Sequence, residues 1–120
     1  MRYLVISTSL SPTSRSRLLA RSALALLEAS VGDAARYLDL AELELPMCDG
    51  HAAWGSPGAQ TLKSAIAAAD GIVLALGIYN YGASAAAKTA LELGGDAWGE
   101  KVVSFACAAG GERSYLSVMG

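Results

Sequence analysis

Asp70-Gly71-Ile72-Val73-Leu74-Ala75-Leu76-Gly77-Ile78-Tyr79-Asn80-Tyr81-Gly82 is the stretch that decides the fold of this 120-residue chain. Ile72 to Leu76 is an unbroken apolar run between turn residues, as expected of a strand covered by helices on both faces of a parallel sheet. Tyr3-Leu4-Val5-Ile6 repeats the pattern near the N-terminus, and Lys101 to Cys107 is expected to form the fourth strand. Helical spacing fills the intervals. Leu19, Ala23, Leu26 and Leu27 predict a helix over residues 13 to 30 that Gly32-Asp33 stops. Leu62, Ile66 and Ala69 predict a second, stopped by Asp70-Gly71, and Ser84 to Leu93 a third, ended by Gly94-Gly95. Arg36 to Leu40 alternates, with Leu38 and Leu40 on one face and Tyr37 and Asp39 on the other. That pattern predicts an edge strand with one wetter face. Pro46, Gly50, Gly55 and Pro57 make residues 41 to 57 a surface loop, and a fourth helix is expected from Arg113 onward. Strands alternating with helices predict an α/β fold with right-handed crossovers, as one domain over residues 1–120.

Composition narrows the function. With 53 % apolar and 17 % charged residues the chain suits a packed globule. The net charge of −2 and scattered basic residues argue against a nucleic-acid partner, which needs clustered Lys and Arg. Arg15, Arg17 and Arg21 form the one local cluster, enough for a single mononucleotide phosphate. No apolar run approaches the roughly 18 residues that suggest a membrane span, and Tyr3 to Ile6 is too short for a signal-peptide core. The expected compartment is the cytoplasm. Cys48 and Cys107 lack CxxC spacing and are expected to be free thiols. Cys48-Asp49-Gly50-His51 offers too few ligands for zinc and is expected to be loop decoration, so no metal is assigned.

Three loops follow three of the strands, and ligands of open parallel sheets bind beyond the carboxyl ends of strands. Ser7-Thr8-Ser9-Leu10-Ser11-Pro12-Thr13-Ser14-Arg15-Ser16 carries seven hydroxyls between a strand and a helix N-terminus, where free N–H groups and the helix dipole favour an anion. Ser11-Pro12 has a plainer use as N-cap and first helical residue, but capping needs only one hydroxyl. Neither GxGxxG nor GxxxxGK[ST] occurs in this loop, so a mononucleotide is favoured over a dinucleotide or a Walker-type phosphate grip. Tyr79-Asn80-Tyr81 supplies aromatic faces and an amide for a planar heterocycle, although tyrosines at such a tip also serve as ordinary surface or subunit contacts. In Ala108-Ala109-Gly110-Gly111-Glu112-Arg113 the glycines admit a close backbone approach. Trp54 and Trp98 are expected to pack in loops. A phosphate, a flat ring and a close approach together suggest FMN.

With these loops in place the chain resembles the NAD(P)H-dependent FMN reductases, and within them the reductase components of two-component alkanesulfonate monooxygenase systems. The resemblance is carried by Ser9 through Ser16, Leu62-Lys63, Ala69-Asp70-Gly71-Ile72-Val73, Ile78-Tyr79-Asn80-Tyr81, Ala87-Lys88-Thr89, Glu100-Lys101-Val102-Val103 and Ala109-Gly110-Gly111. It implies a flavodoxin-like three-layer sandwich with strand order 2-1-3-4. It further implies FMN as cofactor, with NAD(P)H as co-substrate. Ser9, Ser11, Ser14, Arg15 and Ser16 would hold the phosphate. Ile78, Tyr79, Asn80, Tyr81 and Gly82 would line the isoalloxazine, and Ala109, Gly110 and Gly111 would meet its pyrimidine side. No residue is assigned a catalytic role, Lys88 included. A homodimer or homotetramer and a partner monooxygenase are implied, with quinones, azo dyes or metal oxyanions as other acceptors. Thr8 stands where the family usually has Gly, which would either tighten or misplace the phosphate turn. Leu76-Gly77 replaces Thr-Pro or Ser-Pro, which loosens the ring loop. The family continues through a fifth strand and helix beyond this sequence, so the fourth strand is expected to be an edge, with a truncated chain or a covering subunit as the two expectations. Two other functions share these features: a flavodoxin-type FMN electron carrier and a flavin-free interaction domain.

Overall fold

Four parallel strands lie at the centre of the molecule, two from apolar runs, one from the alternating stretch and one from residues 102–108. In the computed structural model, which describes residues 1–11, 13–79 and 82–109, they are β1 (Tyr3–Ser7), β2 (Ala35–Asp39), β3 (Gly71–Tyr79) and β5 (Val102–Ala108). A two-residue strand, β4 (Gly82–Ala83), folds back antiparallel on the end of β3 and was not foreseen. The parallel order is β2-β1-β3-β5, which is the expected 2-1-3-4 once β4 is set aside. The register pairs Ser7 with both Asp39 and Ala75, and Gly77 with Ala108. The carboxyl ends of all four strands therefore lie along one rim. The chain leaves β1 toward β2 on one side and returns to β3 on the other, so the switch point of the sheet falls between β1 and β3.

Among the described residues three helices cover the two faces. α1 (Arg15–Val31) lies on one face, where Ala20, Ala23, Leu24 and Leu27 meet Val5, Val73, Ala75 and Tyr37. α2 (Pro57–Ala67) and α3 (Ala85–Gly94) share the other, burying Leu62, Ile66, Ala87, Ala90 and Leu93 against Leu4, Ile6, Ile72, Leu74 and Leu76. Each opens on a serine whose Oγ accepts an N–H three residues on: Ser14 from Arg17, Ser56 from Ala59, Ser84 from Ala87. The plainer use of Ser11-Pro12 as the start of α1 does not hold. Ser14 caps α1, and the serine–proline start belongs to α2 at Ser56-Pro57. α2 also ends earlier than expected, at Ala67 with Ala68 as C-cap, before Asp70-Gly71. Gly32 and Gly95 end α1 and α3 with positive φ.

β2 is at the edge, as its alternation predicts, but the face expected to be wetter lies beneath α1. Asp39 is buried there because Arg17 of α1 reaches it. The segment expected as a loop over residues 41 to 57 is entered through one short 3-10 turn, Leu40–Glu42, and contains a second, Ala52–Gly55. Trp54 donates its indole N–H to Glu92 O at 3.0 Å and Trp98 to Ala90 O at 3.2 Å, so both tryptophans brace α3. The expected fourth helix, from Arg113 onward, lies outside the described residues.

Candidate functional site

The β1–α1 loop rises from the carboxyl end of β1 and delivers the chain into the longest helix. Its first residue is pinned hard. Thr8 is buried, and both its N–H (3.1 Å) and its hydroxyl (2.8 Å) donate to Ala75 O on β3. A threonine at this turn therefore ties the loop to the neighbouring strand. Ser11 N–H donates to Ser9 Oγ at 3.2 Å, a local serine turn that shapes the crest.

Beyond that crest lies a hollow of about 270 Å³ bordered by Ser9, Ser11, Thr13, Ser14, Arg15 and Ser16 on one side. Gly77 and Ile78 of β3 and Ala108 and Ala109 at the end of β5 close the other. The first turn of α1 contains no acidic residue, so its dipole and free N–H groups are left for an external anion. Ser14 Oγ accepts the Arg17 N–H at 3.1 Å and lies 2.9 Å from Ser16 Oγ. Arg15 is exposed at the rim. A second hollow of about 320 Å³ adjoins the first along Ser9, Ser11 and Gly77. It is bordered further by Thr8, Leu10 and the start of α3 at Ser84, Ala85 and Ala86. The N-termini of two helices thus flank the same loop.

Arg17 and Asp39 sit behind the loop. Arg17 Nε donates to Asp39 Oδ2 at 2.8 Å and Nη2 to Oδ1 at 3.4 Å, with the two side chains 13 % and 8 % exposed. Burial alone would raise the Asp39 carboxyl. Hydrogen bonds from the Arg17 guanidinium, the Ala41 N–H and the Tyr37 hydroxyl outweigh it and hold the group below its ordinary value of 3.8. The same pairing raises Arg17 above its own ordinary value. Of the basic cluster read from the sequence, Arg17 is therefore committed inward, Arg21 is exposed along α1, and Arg15 alone borders the hollow.

The structure brings Ser9, Ser11, Ser14, Arg15, Ser16, Ile78 and Ala109 around one hollow. Ile78 contributes backbone there, because its side chain is buried in the α2–α3 core. Tyr79 ends β3 and pairs with Gly82, while Asn80, Tyr81, Gly110 and Gly111 lie outside the described residues. Thr8, Thr13, Gly77 and Ala108 lie in or beside the loops read from the sequence but were not assigned to the site, and the pairing of Arg17 with Asp39 was not foreseen. Among the described residues no three His, Cys, Asp or Glu side chains gather as metal ligands, and no helix is long and apolar enough to cross a membrane.

Comparison with known proteins agrees with this layout. The family model for NADPH-dependent FMN reductase matches residues 1–119. No curated protein matches the chain. Among solved structures, an NADH:FMN oxidoreductase (EMOB) in its apo form superposes with a TM-score of 0.79 at 23 % identity, over 97 % of this chain and 62 % of the other. The azoreductase AzrA gives 0.76 at 18 % identity, over 95 % and 72 %. An NAD(P)H:quinone oxidoreductase from Methanothermobacter marburgensis gives 0.70 at 16 % identity, over 97 % and 70 %. At these identities the likeness is one of fold. The chain spans less than two thirds of the length of the first of these structures.

Proposed function

The chain belongs to the NADPH-dependent FMN reductase family, and from that premise we propose that it holds FMN at the β1–α1 loop for reduction by NAD(P)H. The observation that carries this reading is the hydroxyl-lined hollow at the N-terminus of α1, set at the switch point of the sheet. An anion is favoured there by helix N–H groups and dipole, and the chain adds Ser9, Ser11, Ser14 and Ser16 hydroxyls with the Arg15 guanidinium. The residues present fit a phosphate monoester. Backbone at Gly77, Ile78, Ala108 and Ala109 offers amides and little side-chain bulk for the ring end of the same molecule. Tyr79, Asn80, Tyr81, Gly82, Gly110 and Gly111 complete that end in the proposal.

FMN, when bound, supplies the redox chemistry by accepting a hydride from NAD(P)H and passing the electrons to an acceptor. The task left to the chain is to bind and orient. Ser14 caps α1 and borders the hollow, and Thr8 fixes the loop against β3 so that its donors are aimed before the ligand arrives. A flavin-consuming monooxygenase, a quinone or an azo compound is the acceptor class, and assembly as a homodimer or homotetramer is proposed with it. The unpaired Cys48 and Cys107 support a reducing compartment such as the cytoplasm.

Anaerobic mixing of FMN-supplemented protein with NADH, and separately with NADPH, tests the reading through the flavin absorbance band. Rapid bleaching by one nucleotide is the expected outcome and identifies the donor. Flavin that is bound but bleached by neither would make the chain an electron carrier. Absence of flavin binding by the folded protein would leave a flavin-free interaction domain.

A further inference from the structure

Arg17 stands in the basic cluster beside the phosphate loop, yet it does not border the hollow. Its guanidinium turns the other way. Nη2 donates to Ser9 O at 2.9 Å, Nη1 donates to Ser11 O, and Nε and Nη2 hold Asp39 at the end of β2. Its backbone N–H meanwhile donates to Ser14 Oγ. One residue is therefore bonded to three loop serines that border the hollow, and through Asp39 to the sheet.

The consequence lies in the direction of the loop dipoles. In a trans peptide the next N–H points opposite to the carbonyl. Drawing Ser9 O onto a cation turns the Leu10 N–H to the far side of the loop. It also removes two carbonyl oxygens, each a partial negative charge, from the set that could confront an anion. Asp39 neutralises the guanidinium, so the pair adds no net charge at the phosphate. Its contribution is shape. A planar fork with five donors can bridge two carbonyls and a carboxylate at once, which an ammonium cannot do in fixed geometry.

We propose that Arg17 is a positioning residue that, anchored by Asp39, holds the Ser9–Ser11 turn in the conformation that receives the mononucleotide phosphate. This rests on the flavin reading above. Asp39 belongs to the same device, since without it the guanidinium would be free to swing toward the anion. Of the cluster of Arg15, Arg17 and Arg21, Arg15 is left as the cation that can meet the phosphate directly.

The test compares the wild type with R17K and with the double variant R17M/D39N, which removes both charges and keeps an acceptor for the Ala41 N–H. Two quantities are measured: FMN and riboflavin affinity by flavin fluorescence quenching, and hydrogen exchange of the Thr8–Ser11 amides without ligand. The double variant is expected to bind FMN about tenfold more weakly, equivalent to about 1.4 kcal/mol, with riboflavin changed by less than about twofold. R17K is expected to fall between. The Thr8–Ser11 amides of both variants should exchange faster while those of β1 and β3 do not. FMN affinity and loop exchange both unchanged would overturn the proposal. Equal weakening of FMN and riboflavin would overturn it too, by reducing Arg17 to general structural support. If the wild type binds no flavin but loop exchange still responds to the variants, the flavin reading fails while the clamp stands.

Discussion

At Asp39 a carboxylate is taken out of water and remains charged, because three donors converge on it. Its folded value lies below the ordinary 3.8, so the folded state holds its proton less tightly than the unfolded chain does. The stabilisation is therefore fully present above pH 3.8 and is lost as pH falls through the lower folded value. The urea midpoint of the wild type should exceed that of D39N by a constant amount near neutrality and converge with it below pH 3.8. A gap that persists unchanged in acid would mean that charge at Asp39 is irrelevant. The residue types of this network were visible in the sequence, but their commitments were not. Arg15 and Arg17 are two positions apart in one basic cluster, and only the helical turn decides that the second points at β2 while the first borders the hollow. A local pattern of charge carries no direction.

Each helix begins with the same device, and the three serines separate stability from binding. Ser56 caps α2 away from the hollow, whereas Ser14 caps α1 and borders it. Ser56→Ala should cost about 1 kcal/mol of unfolding free energy and leave FMN affinity unchanged, while Ser14→Ala should cost a similar amount and also weaken FMN. Chemical denaturation alongside fluorescence titration reads both, and equal FMN affinity in the two variants would remove Ser14 from the phosphate site. At this scale the sequence was most legible where periodicity was strong. α1, α3 and the apolar core of β3 lie where spacing puts them. Boundaries were less legible. The end of β3 runs on to Tyr79 because β4 pairs back onto it, and no pattern in Ile78 to Ala83 distinguishes that hairpin from a loop.

Across the whole molecule, burial falls from the middle of the sheet outward. Leu74 and Leu76 of β3 are fully buried, while Phe105 of β5 is 44 % exposed, and among the described residues the outer side of β5 has no paired strand. Leu74→Ala is expected to cost about 2–5 kcal/mol because it opens a cavity in a closed core, and Phe105→Ala about 1 kcal/mol or less. Comparable losses in thermal or urea unfolding would show that β5 is as enclosed as β3. That gradient separates what the sequence by itself determined from what the tertiary structure decided. Apolar runs and helical spacing were sufficient for an α/β fold with a parallel sheet, since burial on two faces leaves an unbroken mark in the chain. A loop dense in hydroxyls before a helix was likewise enough to point to an anion. Which arginine meets that anion, which serine caps the helix, and how Asp39 comes to be buried were decided only by the packing of α1 across β1 and β2. Those outcomes depend on contacts between residues up to 22 positions apart, and such contacts leave no periodic trace.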